Sequence, residues 1–190
     1  MNKFKQFKSS IPSSSTTTNS TPSNPSSNHK TKSMARKTAE LRVQKDLTEM
    51  DQVEGVGVSF PQTDDLMTFN VEITPQDGLW KDSTYLFTID VPESYPFNAP
   101  KVHCHTPIFH PNIDLEGHVC LNILRSDWSP VLNLKHVIFG LLTLFHEPNP
   151  QDPLNKQAAQ MMNEDHSQFE KTVAKTLQGG TFFGVTFPTS

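Results

Sequence analysis

The stretch His110-Pro111-Asn112-Ile113-Asp114-Leu115-Glu116-Gly117-His118-Val119-Cys120-Leu121-Asn122-Ile123-Leu124-Arg125-Ser126-Asp127-Trp128-Ser129-Pro130 decides how the rest of the chain is read. It opens on a Pro-Asn turn signal, passes a glycine, sets a cysteine among apolar residues and closes on Trp-Ser-Pro. Prolines crowd both sides, with Pro96, Pro100 and Pro107 before it and Pro148, Pro150 and Pro153 after it. Proline fixes φ and donates no backbone hydrogen bond, so the region is expected to be stiff but irregular. A cysteine on such a loop, between a strand region and a helix region, invites reading as a nucleophile.

Upstream, three runs alternate apolar and polar residues: Val56, Val58, Phe60; then Met67, Phe69, Val71, Ile73; then Tyr85, Phe87, Ile89, Val91. Each has the period of a strand with one buried face, and residues 61–65 and 75–81 have the composition of turns. A shorter run, Lys101–His105, buries Val102 and Cys104. Before the strands, Ser33 can cap a helix running to about Asp51, with Ala39, Val43, Leu47 and Met50 as its apolar stripe. Beyond the cysteine, Asn133 caps a helix to Phe145 with Leu134, Ile138, Leu141 and Phe145 inward. His136, Phe139, Gly140 and Thr143 form its outer stripe. Residues 155–163 and 165–178 read as two further helices, the second ended by Gly179-Gly180. The prediction is an α+β fold: a four-stranded antiparallel meander with an N-terminal helix, a crossover helix and two C-terminal helices.

At 190 residues there is room for one ordinary domain and an appendage. The appendage is at the front: from Ser9 to Asn28, nineteen of twenty positions are Ser, Thr, Asn or Pro. Such a segment buries too little apolar surface to offset ordering and reads as a disordered tether. At its tip, Met1–Lys8 spaces Phe4 and Phe7 among lysines. These rings are either anchors for a partner's groove or the leftover composition of a terminus. The domain division is thus an extension at 1–33 with a docking peptide at 1–8, a core at 34–181 and a short tail at 182–190.

Charge divides the same way. Residues 1–45 hold nine Lys or Arg against Glu40 alone, and the remainder holds seven against nineteen acidic residues, so a formal charge of −4 hides a basic front on an acidic body. That asymmetry suggests an acidic protein partner; nucleic acid competes, but no basic-aromatic groove motif follows. No apolar run approaches a spanning helix, and Met1–Ser10 has no apolar signal core, so the chain reads as soluble and intracellular. Two cysteines, Cys104 and Cys120, are too few for a disulfide framework.

Four chemistries compete at Cys120. Zinc could draw on His103, Cys104, His105, His110, His118 and Cys120, but paired Cys-x-x-Cys or His-x-x-x-His units are missing, and a strand would turn His103 and His105 away from Cys104. A cysteine protease would need His136, His146 or His166 as base, yet no protease-type signature surrounds the cysteine. A buried structural thiol suits Cys104 better than Cys120. Acyl transfer through a thioester is the remaining reading.

The run HPNIDLEGHVCLNILRSDWSP resembles the active-site signature of the ubiquitin-conjugating enzyme family: His-Pro-Asn, a Cys-Leu eight residues on, then Trp-Ser-Pro. The resemblance covers roughly residues 34–180. It implies that Cys120 accepts a ubiquitin-like modifier from an activating enzyme and passes it to a target lysine. Exchange between thioesters is nearly isoenergetic, so an unshifted thiol near pKa 8.5 would serve without a histidine base. Asn112 matches the motif asparagine, as an oxyanion donor or as a loop fastener. Asp152 matches the family's acidic gate residue, which could orient or desolvate the incoming amine, and His110 reads as a structural hydrogen-bonding residue. Phe97 and Pro130 match the two loops that ligases grip, and Phe139 the helix position against which the bound modifier folds. The family's Tyr-Pro-x-x-Pro-Pro element carries Ala99 in place of one proline.

Within the family, residues 112–117, 120–125 and 152–156 look most like the enzymes of neddylation, and so does the basic-aromatic start. This implies a NEDD-type modifier, a heterodimeric activating enzyme docked by Phe4 and Phe7, a RING-type ligase with a co-ligase that grips an acetylated amino end, and cullin substrates. It also implies work in cytoplasm and nucleus, no cofactor or metal of its own (ATP is used upstream), and neither nucleic acid nor membrane as partner. A ubiquitin-specific enzyme, or a non-catalytic modifier-binding adaptor of the same fold, are the alternatives.

Overall fold

The computed structural model describes residues 33–49 and 53–189. Helix α1 spans Met34–Thr48, and the Ser33 side chain caps it by accepting from the Arg36 amide at 3.0 Å. Ala39, Val43 and Leu47 of the expected stripe are buried; Met50 lies outside the described residues. Four strands follow, β1 (Val56–Ser59), β2 (Thr68–Ile73), β3 (Tyr85–Asp90) and β4 (Lys101–Cys104), in an antiparallel meander ordered as in the chain. Register sets Val58 opposite Val71, Val71 opposite Phe87 and Phe87 opposite Cys104. That single row carries the sheet's apolar face across all four strands, as the period of two requires.

Over this face lies α2, Leu134–His146. Its start carries a capping box in which Asn133 and His136 satisfy each other's backbone amides. Leu134, Val137, Ile138, Leu141, Leu144 and Phe145 are buried, meeting Trp80, Phe87 and Tyr85 of the sheet side; the Tyr85 and Phe145 rings lie 5.0 Å apart. Helices α3 (Lys156–Glu164) and α4 (His166–Leu177) close the far end, capped by Asn155 and Asp165.

A clasp fixes α1 against this core. Buried Asp46 accepts from Arg42 Nε at 2.8 Å, from the Tyr95 hydroxyl and, at 3.4 Å, from the Leu134 amide at the start of α2. A buried carboxylate is tolerable only when so fully hydrogen-bonded.

Residues 178–189, which take in the end of the expected core and most of the expected tail at 182–190, have regular structure of their own. They form a hairpin, β5 (Gln178–Phe182) with β6 (Val185–Thr189), that follows α4 directly. Phe187 is buried, Phe183 stacks on Phe109 at 4.9 Å, and Lys175 sits over the Phe182 ring at 5.0 Å. Gly179 and Gly180, read as a helix stop, do end α4, and their positive φ also launches the hairpin. Among the described residues no helix is long and apolar enough to cross a membrane.

Candidate active site

Between β4 and α2 the chain makes a flap that returns against the sheet edge. The Cys104 amide donates to the Gly117 carbonyl at 2.8 Å, and His103 bridges to His118. Gly117 is required there, since its φ is +88° and a Cβ would sit 2.0 Å from the Cys104 carbonyl oxygen. From this anchor the flap runs to Cys120 and a 3₁₀ turn, Asn122–Leu124.

Two loops distant in sequence are fastened together at Cys120. The Cys120 amide donates to Asn112 O at 2.8 Å. Asn112, 2% exposed, donates through Nδ2 to Asn149 O (2.8 Å) and Asp152 O (3.2 Å), and its Oδ1 accepts from the Asn149 amide at 2.8 Å. Both Leu154 and Asn155 amides donate to Pro111 O at 3.0 Å. The result sets the Asp152 carboxylate on the thiol: Cys120 Sγ–H donates to Asp152 Oδ2 at 3.3 Å, and Arg125 Nη1 lies 3.6 Å from the same oxygen.

His110 is fully buried and neutral. Its Nδ1 accepts from the Asn112 amide at 2.9 Å while Nε2–H donates to Leu144 O at 2.8 Å, and burial pushes its pKa down to about 4. It therefore holds the loop on α2 and has no free nitrogen to offer as a base.

The thiol departs from expectation in one respect. An unshifted pKa near 8.5 is not what this environment gives: burial pushes the Cys120 thiol up, and the hydrogen bond to Asp152 and its charge push the same way, against the pull of Arg125. Cys120 is 5% exposed, and among the described residues its side-chain partner is a carboxylate, not a histidine. The other thiol, Cys104, donates to Thr106 O at 3.2 Å and is raised by burial to about 12, an inert core group.

The zinc set does not converge on one point: the His103 ring lies 4.9 Å from that of His105 and 6.2 Å from that of His118, but among the described residues neither thiol joins them. His105 pairs with Thr88, His118 with Asp114 and His110 with the main chain, while Cys104 and Cys120 make separate bonds. A different arrangement, Asp114 with Glu116 and His118, brings ligand atoms within 4.8 Å of one another, a set that no spacing motif in the sequence announces.

Phe97, 76% exposed, and exposed Pro130 belong to loops joined by Trp128 Nε1–H donating to Pro96 O at 2.8 Å. Arg42 braces the second loop from α1, donating to Pro130 O at 3.3 Å and Leu132 O at 3.0 Å. Val131 beside them is 82% exposed, and a lone valine after proline carries no pattern in the sequence. Phe139 is 45% exposed on the outer face of α2, where Lys135 Nζ lies 5.7 Å from its ring centroid. Gly140 next to it lets Leu121 and Ile123 close on the helix. Phe4 and Phe7 lie outside the described residues.

Under a strand meander and its covering helix, two mutually fastened loops thus present a thiol beside a carboxylate. The ubiquitin-conjugating enzyme family model matches residues 42–177, and the chain belongs to that family. Among its relatives, the NEDD8-conjugating enzyme Ubc12 of Dictyostelium discoideum is 58% identical over 150 residues, 79% of this chain and 65% of that protein. The chain thus spans just under two thirds of that relative's length. Ubc12 of Arabidopsis thaliana is 50% identical over 78% of this chain and 80% of its own. The solved structure of Saccharomyces cerevisiae Ubc12 superposes with a TM-score of 0.74 at 42% identity, covering 80% of this chain and 85% of that one.

Proposed function

We propose that this chain is a conjugating enzyme of the neddylation type. Cys120 takes a NEDD8-type modifier from an activating enzyme as a thioester and delivers it to a lysine, with cullins as the substrates. The observation that carries the thioester chemistry is the shared position of the Cys120 thiol and the Asp152 carboxylate on fastened loops, and the choice of modifier follows the NEDD8-conjugating relatives. In the first step Cys120 sulfur attacks the carbonyl of the activating enzyme's thioester. The new C–S bond replaces the old one, and the proton lost from Cys120 ends on the departing thiol. In the second step a lysine amine attacks, the amide forms, and one proton from the nitrogen returns to the Cys120 thiolate.

Asp152 is suited to receive that proton, and a carboxylate in this role contributes about 10²-fold or more. Asn112 keeps the loops together at rest; releasing its longer bond, to Asp152 O, would free one N–H for the oxyanion. The Phe97 and Pro130 loops offer an apolar grip for a RING-type ligase, and Phe139 a contact for the modifier. Phe4 and Phe7 would dock on a heterodimeric activating enzyme, and a co-ligase would grip the amino end. The chain needs no cofactor in this scheme, because ATP is spent upstream. Cytoplasm and nucleus are the compartments the reading assigns.

A loading assay tests it. Wild-type chain given NEDD8, its activating enzyme and ATP forms a reductant-sensitive adduct, and Cys120→Ser forms one that resists reductant but yields to hydroxide, as an ester does. Loading by ubiquitin's system alone would reassign the modifier; no adduct with either would favour a binding adaptor.

A further inference from the structure

Arg125 has no part in the scheme above, yet it approaches the reacting atoms. Its backbone is pinned at the end of the 3₁₀ turn, with the amide donating to Asn122 O at 2.9 Å and the carbonyl accepting from Trp128 N at 3.4 Å. Its guanidinium reaches back to Asp152 Oδ2 at 3.6 Å, the same oxygen that accepts the Cys120 S–H bond at 3.3 Å. Both side chains of the ion pair are about half exposed, 48% and 62%. An exposed pair of this kind contributes little to folding. Its location matters more than its strength.

One carboxylate oxygen with two donors has a consequence for the order of events, resting on Cys120 being the thioester site. While the enzyme is uncharged, the thiol proton occupies Asp152. Transthioesterification removes that proton from the sulfur, so the S–H bond cannot survive into the charged state. We infer that Arg125 is a positioning residue for Asp152: once the thioester has formed, its guanidinium is the group left holding the carboxylate at the reacting centre to receive the amine's proton. The free thiol thus occupies the gate, and loading opens it. When the amide forms and the C–S bond breaks, the proton taken from nitrogen passes from Asp152 to the Cys120 thiolate, and the starting hydrogen bond is restored. Atoms and charge balance over the cycle with no added reagent.

In the uncharged enzyme the same guanidinium stabilises the thiolate against burial and against Asp152. Removing it therefore affects the two steps in separable ways.

The experiment uses full-length chain, preloaded with modifier and chased with free lysine or with hydroxylamine, a strong nucleophile largely deprotonated near neutral pH. Arg125→Gln is expected to slow discharge to lysine about tenfold, part of what a general base supplies. Hydroxylamine discharge should stay within about twofold, and the melting temperature within about 2 °C. Arg125→Lys should recover part of the lysine rate. In an Asp152→Asn background, Arg125→Gln should add almost nothing, the non-additivity expected of groups that act as a unit. Alkylation of uncharged Cys120 by iodoacetamide should be slower in Arg125→Gln and faster in Asp152→Asn at pH 7–8. Equal slowing with both nucleophiles, or additive losses in the double variant, would overturn the positioning role. A wild-type chain that never loads would sink the conjugating function itself, whereas a loaded chain indifferent to Arg125 sinks this inference alone.

Discussion

At the residue scale, His110 shows how a side chain beside the cysteine loop can hold structure without touching the thiol. Its ring lies 4.6 Å from Trp80, and both nitrogens are committed, Nδ1 as acceptor and Nε2 as donor. Protonation would turn Nδ1 into a donor facing the Asn112 amide, itself a donor, so the folded state resists it. The pKa falls to about 4 in the fold against about 6.5 when unfolded. Between those values the unfolded chain binds the extra proton, so stability falls as pH drops. The contribution is intact above pH 6.5, diminishes through the interval and is lost near pH 4, about 3 kcal/mol in all. Urea unfolding of wild type across pH 5 to 6.5 should show a slope of roughly 1 kcal/mol per pH unit from this group. His110→Gln, which cannot titrate, should flatten that slope whatever it does to the absolute stability. An unchanged slope would mean that the ring is not held neutral.

At the scale of elements, α2 and the turn after Cys120 approach each other closely. A Cβ on Gly140 would lie 2.7 Å from Leu121 Cδ2 and 3.1 Å from Ile123 Cδ1, so the two apolar tips rest on the bare helix backbone. Gly140→Ala gains about 1 kcal/mol of helix propensity but overpacks this contact by about 1–3 kcal/mol. The expected net is a loss near 1 kcal/mol, with the turn pushed outward and loading of Cys120 slowed. Calorimetry with a loading time course checks both, and stabilisation with unchanged loading would show that the contact is slack. The same pairing shows what the sequence could disclose. Strands β2 (Thr68–Ile73) and β3 (Tyr85–Asp90) are legible because one face of each is buried, and a period of two appears in any window. The caps at Ser33 and Asn133 were legible for the same local reason. Gly140 read only as a small outer residue, because its neighbours Leu121 and Ile123 arrive from another element. The hairpin at 178–189 is not legible for the same reason: Phe183 and Phe187 owe their places to Phe109 and the core. Arg125 had no legible role, since its partner lies twenty-seven residues away.

On the scale of the whole molecule, the proposed function divides chemistry from recruitment. The core holds the fastened loops and the thiol, while nine of the sixteen Lys and Arg residues fall within the first forty-five positions. Charge so divided steers encounter with an acidic surface without altering the reacting groups. A docking peptide joined to a catalytic domain also raises the local concentration of the second contact to roughly millimolar for a suitable linker. Under the proposed function both effects would apply to the encounter with the activating enzyme, and neither once the modifier is on Cys120. Deleting residues 1–8, which removes Phe4, Phe7 and three lysines, should therefore slow loading about tenfold or more at limiting activating enzyme. Discharge of preloaded enzyme to lysine should remain within about twofold, and the loading defect should shrink as activating enzyme is raised toward saturation. Replacing only Phe4 and Phe7 by alanine separates anchors from charge: anchoring predicts most of the loss at any salt, whereas steering predicts a loss that fades as ionic strength rises. Equal slowing of loading and discharge by the deletion would place residues 1–8 in the catalytic step and remove the division of labour.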